Sequence, residues 1–194
     1  MLSLLLIRSG RTEYDCQGRI QGTLDIPLSE DGRAEVLAGA AKLLNRQPPL
    51  TALYAGPCRS VQETAEIVAE QLKLKVKTID GLHNLNQGLW QGLLFDEVKA
   101  KQPRVYRQWQ DKPDTVCPPE GETLEEARDR LRAALAKLAK KHKTGGVGLV
   151  LGQPLADVLR CMLHNGESPD VCHCHDEHAA GPLWEQLDIP AAAV

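Results

Sequence analysis

Leu6-Ile7-Arg8-Ser9-Gly10-Arg11-Thr12-Glu13 is the stretch that decides how this chain folds. It begins in a short apolar run, Leu4 to Ile7, of the kind expected for a strand buried on both faces of a mostly parallel sheet. Arg8, Ser9 and Gly10 then fall at the carboxyl end of that strand, where open α/β sheets bind their ligands. Two later segments repeat the arrangement. Pro57-Cys58-Arg59 follows an apolar run from Thr51 to Ala55, and Gly152-Gln153-Pro154 follows one from Val147 to Leu151.

Between these runs the period changes from strand to helix. From Ser29 to about Arg46 the apolar positions Val36, Leu37, Ala40, Ala41, Leu43 and Leu44 recur at helical spacing, until Pro48-Pro49 stops the segment. Ser60-Val61-Gln62-Glu63 reads as a capping box for a helix towards Leu72, and Val76 to Ile79 as a third strand. Thr123-Leu124-Glu125-Glu126 is a second capping box, opening a long helix with Leu124, Ala127, Leu131, Ala134, Leu135 and Leu138 on its sheet-facing side. Pro154 suits a first helical turn ahead of Leu155, Val158, Leu159, Met162 and Leu163, and Leu183 to Leu187 reads as a short last strand. The alternation predicts an α/β fold, a three-layer α/β/α sandwich with a mostly parallel sheet. The 194 residues are expected to form a single domain, with a mixed insertion over 81–119 and an irregular Cys/His-rich loop over 165–182.

Charge narrows the partners. The 23 basic residues are outnumbered by 26 acidic ones, for a net charge of -3, which argues against nucleic acid and anionic membrane surfaces. The opening run is far too short to span a bilayer and lacks a basic leader, so a cytoplasmic location is expected, with the six cysteines reduced. Lys140-Lys141-His142-Lys143 reads as the cationic last turn of the long helix.

Arg8-Ser9-Gly10, Gln21-Gly22, Pro27-Leu28-Ser29, Ala55-Gly56-Pro57-Cys58-Arg59, Leu82-His83-Asn84, Trp90-Gln91-Gly92 and Gly121-Glu122-Thr123 recur at spacings that resemble the histidine phosphatase superfamily, the phosphoglycerate mutase-like proteins. The resemblance implies a phosphate-binding site built on Arg8 and Arg59 with Gln21 and Gly22. It also implies a histidine nucleophile where this chain has Ser9, a proton-donating glutamate where it has Asn84, and a second histidine where it has Gly152. Asp15 stands where the resemblance implies an asparagine that donates a hydrogen bond to the bound phosphate, and its carboxylate would repel a dianion. A serine hydroxyl without an adjacent base is a poor nucleophile, an amide has no proton to give, and glycine has no side chain. No Gly-x-Ser-x-Gly elbow supports Ser9 as a catalytic serine.

These readings lead to the expectation of a pseudoenzyme, without cofactors, binding a phosphorylated small molecule, an inorganic anion or a protein partner. The alternatives are a weak phosphatase or mutase with a displaced nucleophile such as His83, and a metal-binding regulatory protein using Cys172, Cys174, His175 and His178. The one-residue gaps of that last group do not match the usual spacing of structural zinc sites.

Overall fold

The computed structural model describes residues 3–46, 48–143, 145–163, 169 and 183–188. Five strands, β1 (Ser3–Arg8), β2 (Leu50–Ala55), β3 (Val76–Thr78), β4 (Gly146–Leu151) and β5 (Trp184–Asp188), form one sheet in the order β3-β2-β4-β1-β5. The first four run parallel, and β5 pairs antiparallel with β1 along its edge. Seven helices accompany them among the described residues: α1 (Glu13–Cys16), α2 (Glu30–Leu43), α3 (Arg59–Leu72), α4 (Phe95–Lys101), α5 (Pro103–Asp111), α6 (Leu124–Lys141) and α7 (Leu155–Leu163).

The central strands β1, β2 and β4 are largely apolar on both faces because both faces are covered. Leu5, Ile7, Leu53, Ala55 and Val150 pack with Val36, Ala40 and Leu43 of α2 and Val61, Ala65 and Val68 of α3. Their strand neighbours Leu4, Leu6, Ala52, Tyr54, Val147, Leu149 and Leu151 join a second cluster with α6, α7 and the 82–109 segment. The period-two alternation of a strand thus divides one run of leucines between two cores. Within the 81–119 stretch, Trp90, Phe95, Tyr106 and Trp109 form an aromatic group, with Trp90 and Trp109 edge to face at 5.0 Å.

Helix α6 follows its sequence pattern closely. Thr123 and Glu126 complete the capping box, and all six expected core positions are buried. Two other expectations are corrected. Ser60 does not cap α3: the helix already begins at Arg59, Ser60 is buried in its first turn, and the Oδ1 of Asp25 accepts from the Arg59 N–H at 3.2 Å in place of a cap. On α2, Leu37 and Leu44 remain 46% and 55% exposed, since the face that meets the sheet holds only Gly32, Val36, Ala40 and Leu43.

The cationic end of α6 lands on β2. Nε2 of His142 lies 2.8 Å from the Tyr54 hydroxyl, with Lys77 and Lys141 ammonium groups each 5.6 Å from the Tyr54 ring centre. Desolvation, then the neighbouring Lys141 and Lys77 charges, lowers the His142 pKa. The folded state therefore binds this proton less readily than the unfolded chain. Its stabilising effect is complete above the ordinary histidine value of about 6.5 and declines as pH falls below it. Urea midpoints between pH 7.5 and 5.5 are expected to fall more for the parent than for His142→Gln.

Candidate active site

The register of the sheet brings the loops after β1, β2 and β4 to one level. Arg8 faces Leu151, Ala55 faces Val150, the Ser9 N–H donates to the Leu151 carbonyl at 2.8 Å, and the Gly56 N–H donates to Val150 at 3.2 Å. Arg8, Ser9, Gly56 to Arg59 and Gly152 consequently share the carboxyl edge of the sheet, as their sequence positions suggest.

The first loop is held from below. The Gly10 N–H donates to the buried Thr64 Oγ1 at 3.1 Å, and that hydroxyl donates to the Ser60 carbonyl at 2.8 Å. A Cβ at Gly10 would come within 2.6 Å of the Val36 side chain, so the close approach of the loop to α2 requires glycine. The Asp15 carboxylate, expected to face an anion, instead closes the N-terminal box of α1 by accepting from the Thr12 N–H at 2.7 Å and its hydroxyl at 2.8 Å. Gln21 lies between Thr12 and Ser60, with its amide 2.9 Å and 3.3 Å from the two hydroxyls.

Arg59 opens α3 and is mostly exposed. Its Nε donates to Glu63 Oε1 at 3.0 Å, while Glu63 Oε2 accepts from Arg33 at 2.9 Å and from the Leu28 N–H at 3.2 Å. Glu63 is thus the hub that orients the Arg59 guanidinium. Arg8, half-buried at the end of β1, is likewise engaged with its surroundings. Cys58, just before Arg59, is buried, and burial pushes its thiol up against the opposing effect of a main-chain bond from Asn84.

Asn84 is the crossing point of the site. Its side chain is 2% exposed, and every bonding capacity of the amide is used. Nδ2 donates to the carbonyls of Gly22 at 3.0 Å and Gln153 at 2.6 Å, and Oδ1 accepts from the N–H groups of Leu85 at 2.9 Å and Leu155 at 3.3 Å. One amide therefore fastens the loops after β1 and β4 to the 82–92 segment. Gly152 sits directly against it: a Cβ there would lie 3.2 Å from Asn84 Cγ and Nδ2. Gly22 adopts a φ of +57° and a Cβ would run into the Gln91 side chain, whose Oε1 accepts from the Thr23 N–H at 2.7 Å.

The main chain of the same segment is carried by α6. Arg130 donates to the carbonyls of Gly81 at 3.0 Å, His83 at 2.7 Å and Asn84 at 3.3 Å, and pairs with Glu122 through Nε at 3.0 Å and Nη2 at 2.7 Å. Glu122 in turn accepts from the Asn86 N–H at 2.8 Å. The His83 ring, half-buried, has Nδ1 2.9 Å from the Asn84 carbonyl. As the carbonyl only accepts, Nδ1 carries the hydrogen, and the lone pair of the neutral ring resides on Nε2.

The sequence reading brought out the site's arginines, glycines and Asn84, but it missed Thr64, Glu63, Gln91 and the Arg130–Glu122 brace as organisers. Glu63 ends the quoted Ser60-Val61-Gln62-Glu63 segment and Thr64 directly follows it, whereas nothing local marks Arg130, one of several arginines on α6. Cys172, Cys174, His175 and His178 lie outside the described residues. Among the described residues, no group of three or more His, Cys, Asp or Glu side chains is placed to hold a metal. No described helix is long and apolar enough to cross a membrane.

Comparison with known proteins places this site in company. Residues 4–177 match the histidine phosphatase superfamily (branch 1). Phosphoserine phosphatase 1 of Hydrogenobacter thermophilus is 32% identical over 142 residues, covering 73% of this chain and 66% of that protein. Glucosyl-3-phosphoglycerate phosphatase of Mycobacterium tuberculosis is 33% identical over 144 residues, covering 74% of this chain and 63% of that protein. The chain thus spans just under two-thirds of the length of these curated relatives. The mycobacterial glucosyl-3-phosphoglycerate phosphatase in complex with VO3 superimposes with a TM-score of 0.83 at 28% identity, over 96% of this chain and 90% of that one.

These relatives correct the expectation of a pseudoenzyme. They are named as phosphatases, and the mycobacterial enzyme has been solved with inorganic phosphate as well. The expectation rested on three positions, Ser9, Asn84 and Gly152, and gave too little weight to the frame around them. By its matched length, fold and loop geometry, this chain belongs to the histidine phosphatase superfamily.

Proposed function

We propose that this chain is a phosphomonoesterase acting on a phosphate-bearing small molecule. In this reading Ser9, Asn84 and Gly152 replace the histidine, acid and second histidine of the family, and the attacking group is displaced to His83. Arg8 and Arg59 neutralise the phosphoryl oxygens, while the Gln21-Gly22 loop lines the ligand side. Charge-assisted bonds from preorganised guanidinium groups stabilise the charge of the transferring group, which is the largest contribution such a site makes. The Nε2 lone pair of His83 attacks phosphorus and the ester oxygen departs with its electron pair. Water then displaces the imidazole, returning the pair to Nε2 and giving up its proton to solvent.

The observation that carries this reading is the convergence of both arginine-bearing loops and the His83-Asn84 segment on one edge of the sheet. The mycobacterial relative, solved once with phosphate and once with VO3, supports the same ligand chemistry. The purified chain is expected to release 4-nitrophenol from 4-nitrophenyl phosphate, and Arg8→Ala to slow it by about 10²- to 10³-fold, the usual cost of losing one such donor. A parent no faster than buffer, or an Arg8→Ala/Arg59→Ala variant as fast as the parent, would refute it.

A further inference from the structure

We infer that this site selects phosphoryl groups carried on weakly basic leaving groups, acyl and aryl phosphates, over alkyl phosphate esters. The inference rests on the phosphomonoesterase reading and deepens it. An alkyl ester must expel an alkoxide, a base comparable with hydroxide, so its departure requires a proton delivered as the bond breaks. A carboxylate or a nitrophenolate leaves as a stable anion and requires none.

Among the described residues, the site has no group disposed to deliver that proton. Asn84, at the position nearest Gly152 and the Gly22 loop, is an amide without an acidic hydrogen, and both of its N–H donors are already bound, to Gly22 at 3.0 Å and Gln153 at 2.6 Å. It cannot turn towards a leaving oxygen without breaking those bonds and the two that reach Oδ1 from Leu85 and Leu155. The carboxylates nearby are acceptors already in use. Asp15 accepts from Thr12, Asp25 from the Arg59 N–H, Glu63 from Arg59, Arg33 and Leu28, and Glu122 from Arg130 and Asn86. Gly152, beside Asn84, offers no side chain.

In the transfer step a bond forms between His83 Nε2 and phosphorus while the bond from phosphorus to the ester oxygen breaks. The electron pair leaves on that oxygen, which stays unprotonated as a carboxylate or phenolate. A positioned general acid commonly contributes 10²- to 10⁴-fold, and that factor is what alkyl esters forfeit here.

The test compares kcat/KM of the full chain for acetyl phosphate, 4-nitrophenyl phosphate, phenyl phosphate, O-phosphoserine and glycerol 3-phosphate. The expected result is a steep fall with leaving-group basicity, with 4-nitrophenyl phosphate ahead of O-phosphoserine by about 100-fold or more. Alkyl esters turned over within tenfold of the aryl ester overturn the inference and leave the phosphomonoesterase reading intact. No release from any of the five overturns both.

Discussion

His83→Gln is expected to lower the release of phosphate from 4-nitrophenyl phosphate by several powers of ten, because loss of the attacking group proposed above is not rescued by the groups around it. The substitution is mild for the fold: the ring is half-buried, and an amide at 83 still has an N–H to offer the Asn84 carbonyl. A thermal midpoint within about 2 °C of the parent would show that the loss is chemical. Rapid acid-free quenching during turnover should capture a phosphoryl group on residue 83 of the parent and none on the variant. Should the variant keep the parent's rate, or should the label lie on Ser9, the attack does not come from this imidazole.

The largest effect on stability is expected at Arg130. Arg130→Ala would leave Glu122 buried without its cation and remove the donor shared by the carbonyls of Gly81, His83 and Asn84. Both side chains of the pair are at least 85% shielded, being 15% and 13% exposed. Breaking a buried pair from one side costs about 3–5 kcal/mol, and the remaining solvent contact lowers this to about 2–4 kcal/mol. For a chain of this size that corresponds to a fall of roughly 5–15 °C in Tm. Arg132, two residues on, is the control. It is 49% exposed and pairs with Glu125 and Asp129 at the surface, so Arg132→Ala should cost less than about 1 kcal/mol. Equal losses at 130 and 132 would show that the brace contributes nothing beyond a surface pair. Because Arg130 holds the main chain of His83, its loss should also raise KM and lower kcat together.

How much of this was legible in the sequence depends on how local the information is. Helix α6 was readable because its cap and its apolar stripe are both encoded within a few residues of where they act. The central strands were readable because burial on both faces leaves no polar position in the runs Leu4 to Ile7 and Val147 to Leu151. Leu37 and Leu44 misled because a helical stripe in sequence does not say how wide the face is that meets the sheet. The role of Asn84 was not legible either. Its partners Gly22, Gln153 and Leu155 are 62, 69 and 71 residues away, and nothing in the local pattern distinguishes a side chain that serves a substrate from one that ties loops together. The expectation of lost activity came from treating absent functional groups as the whole site, whereas Thr64, Glu63 and Arg130 preserve its geometry through contacts that only the fold reveals.

The tight fit between Asn84 and Gly152 also ties the two positions to one another. Any side chain installed at 152 meets the amide at 3.2 Å, while an asparagine removed from 84 leaves the carbonyls of Gly22 and Gln153 stranded. A 3.2 Å approach asks the amide to yield by a few tenths of an ångström, and its four hydrogen bonds oppose that movement, so substitutions at 84 and 152 are coupled in their effects on stability.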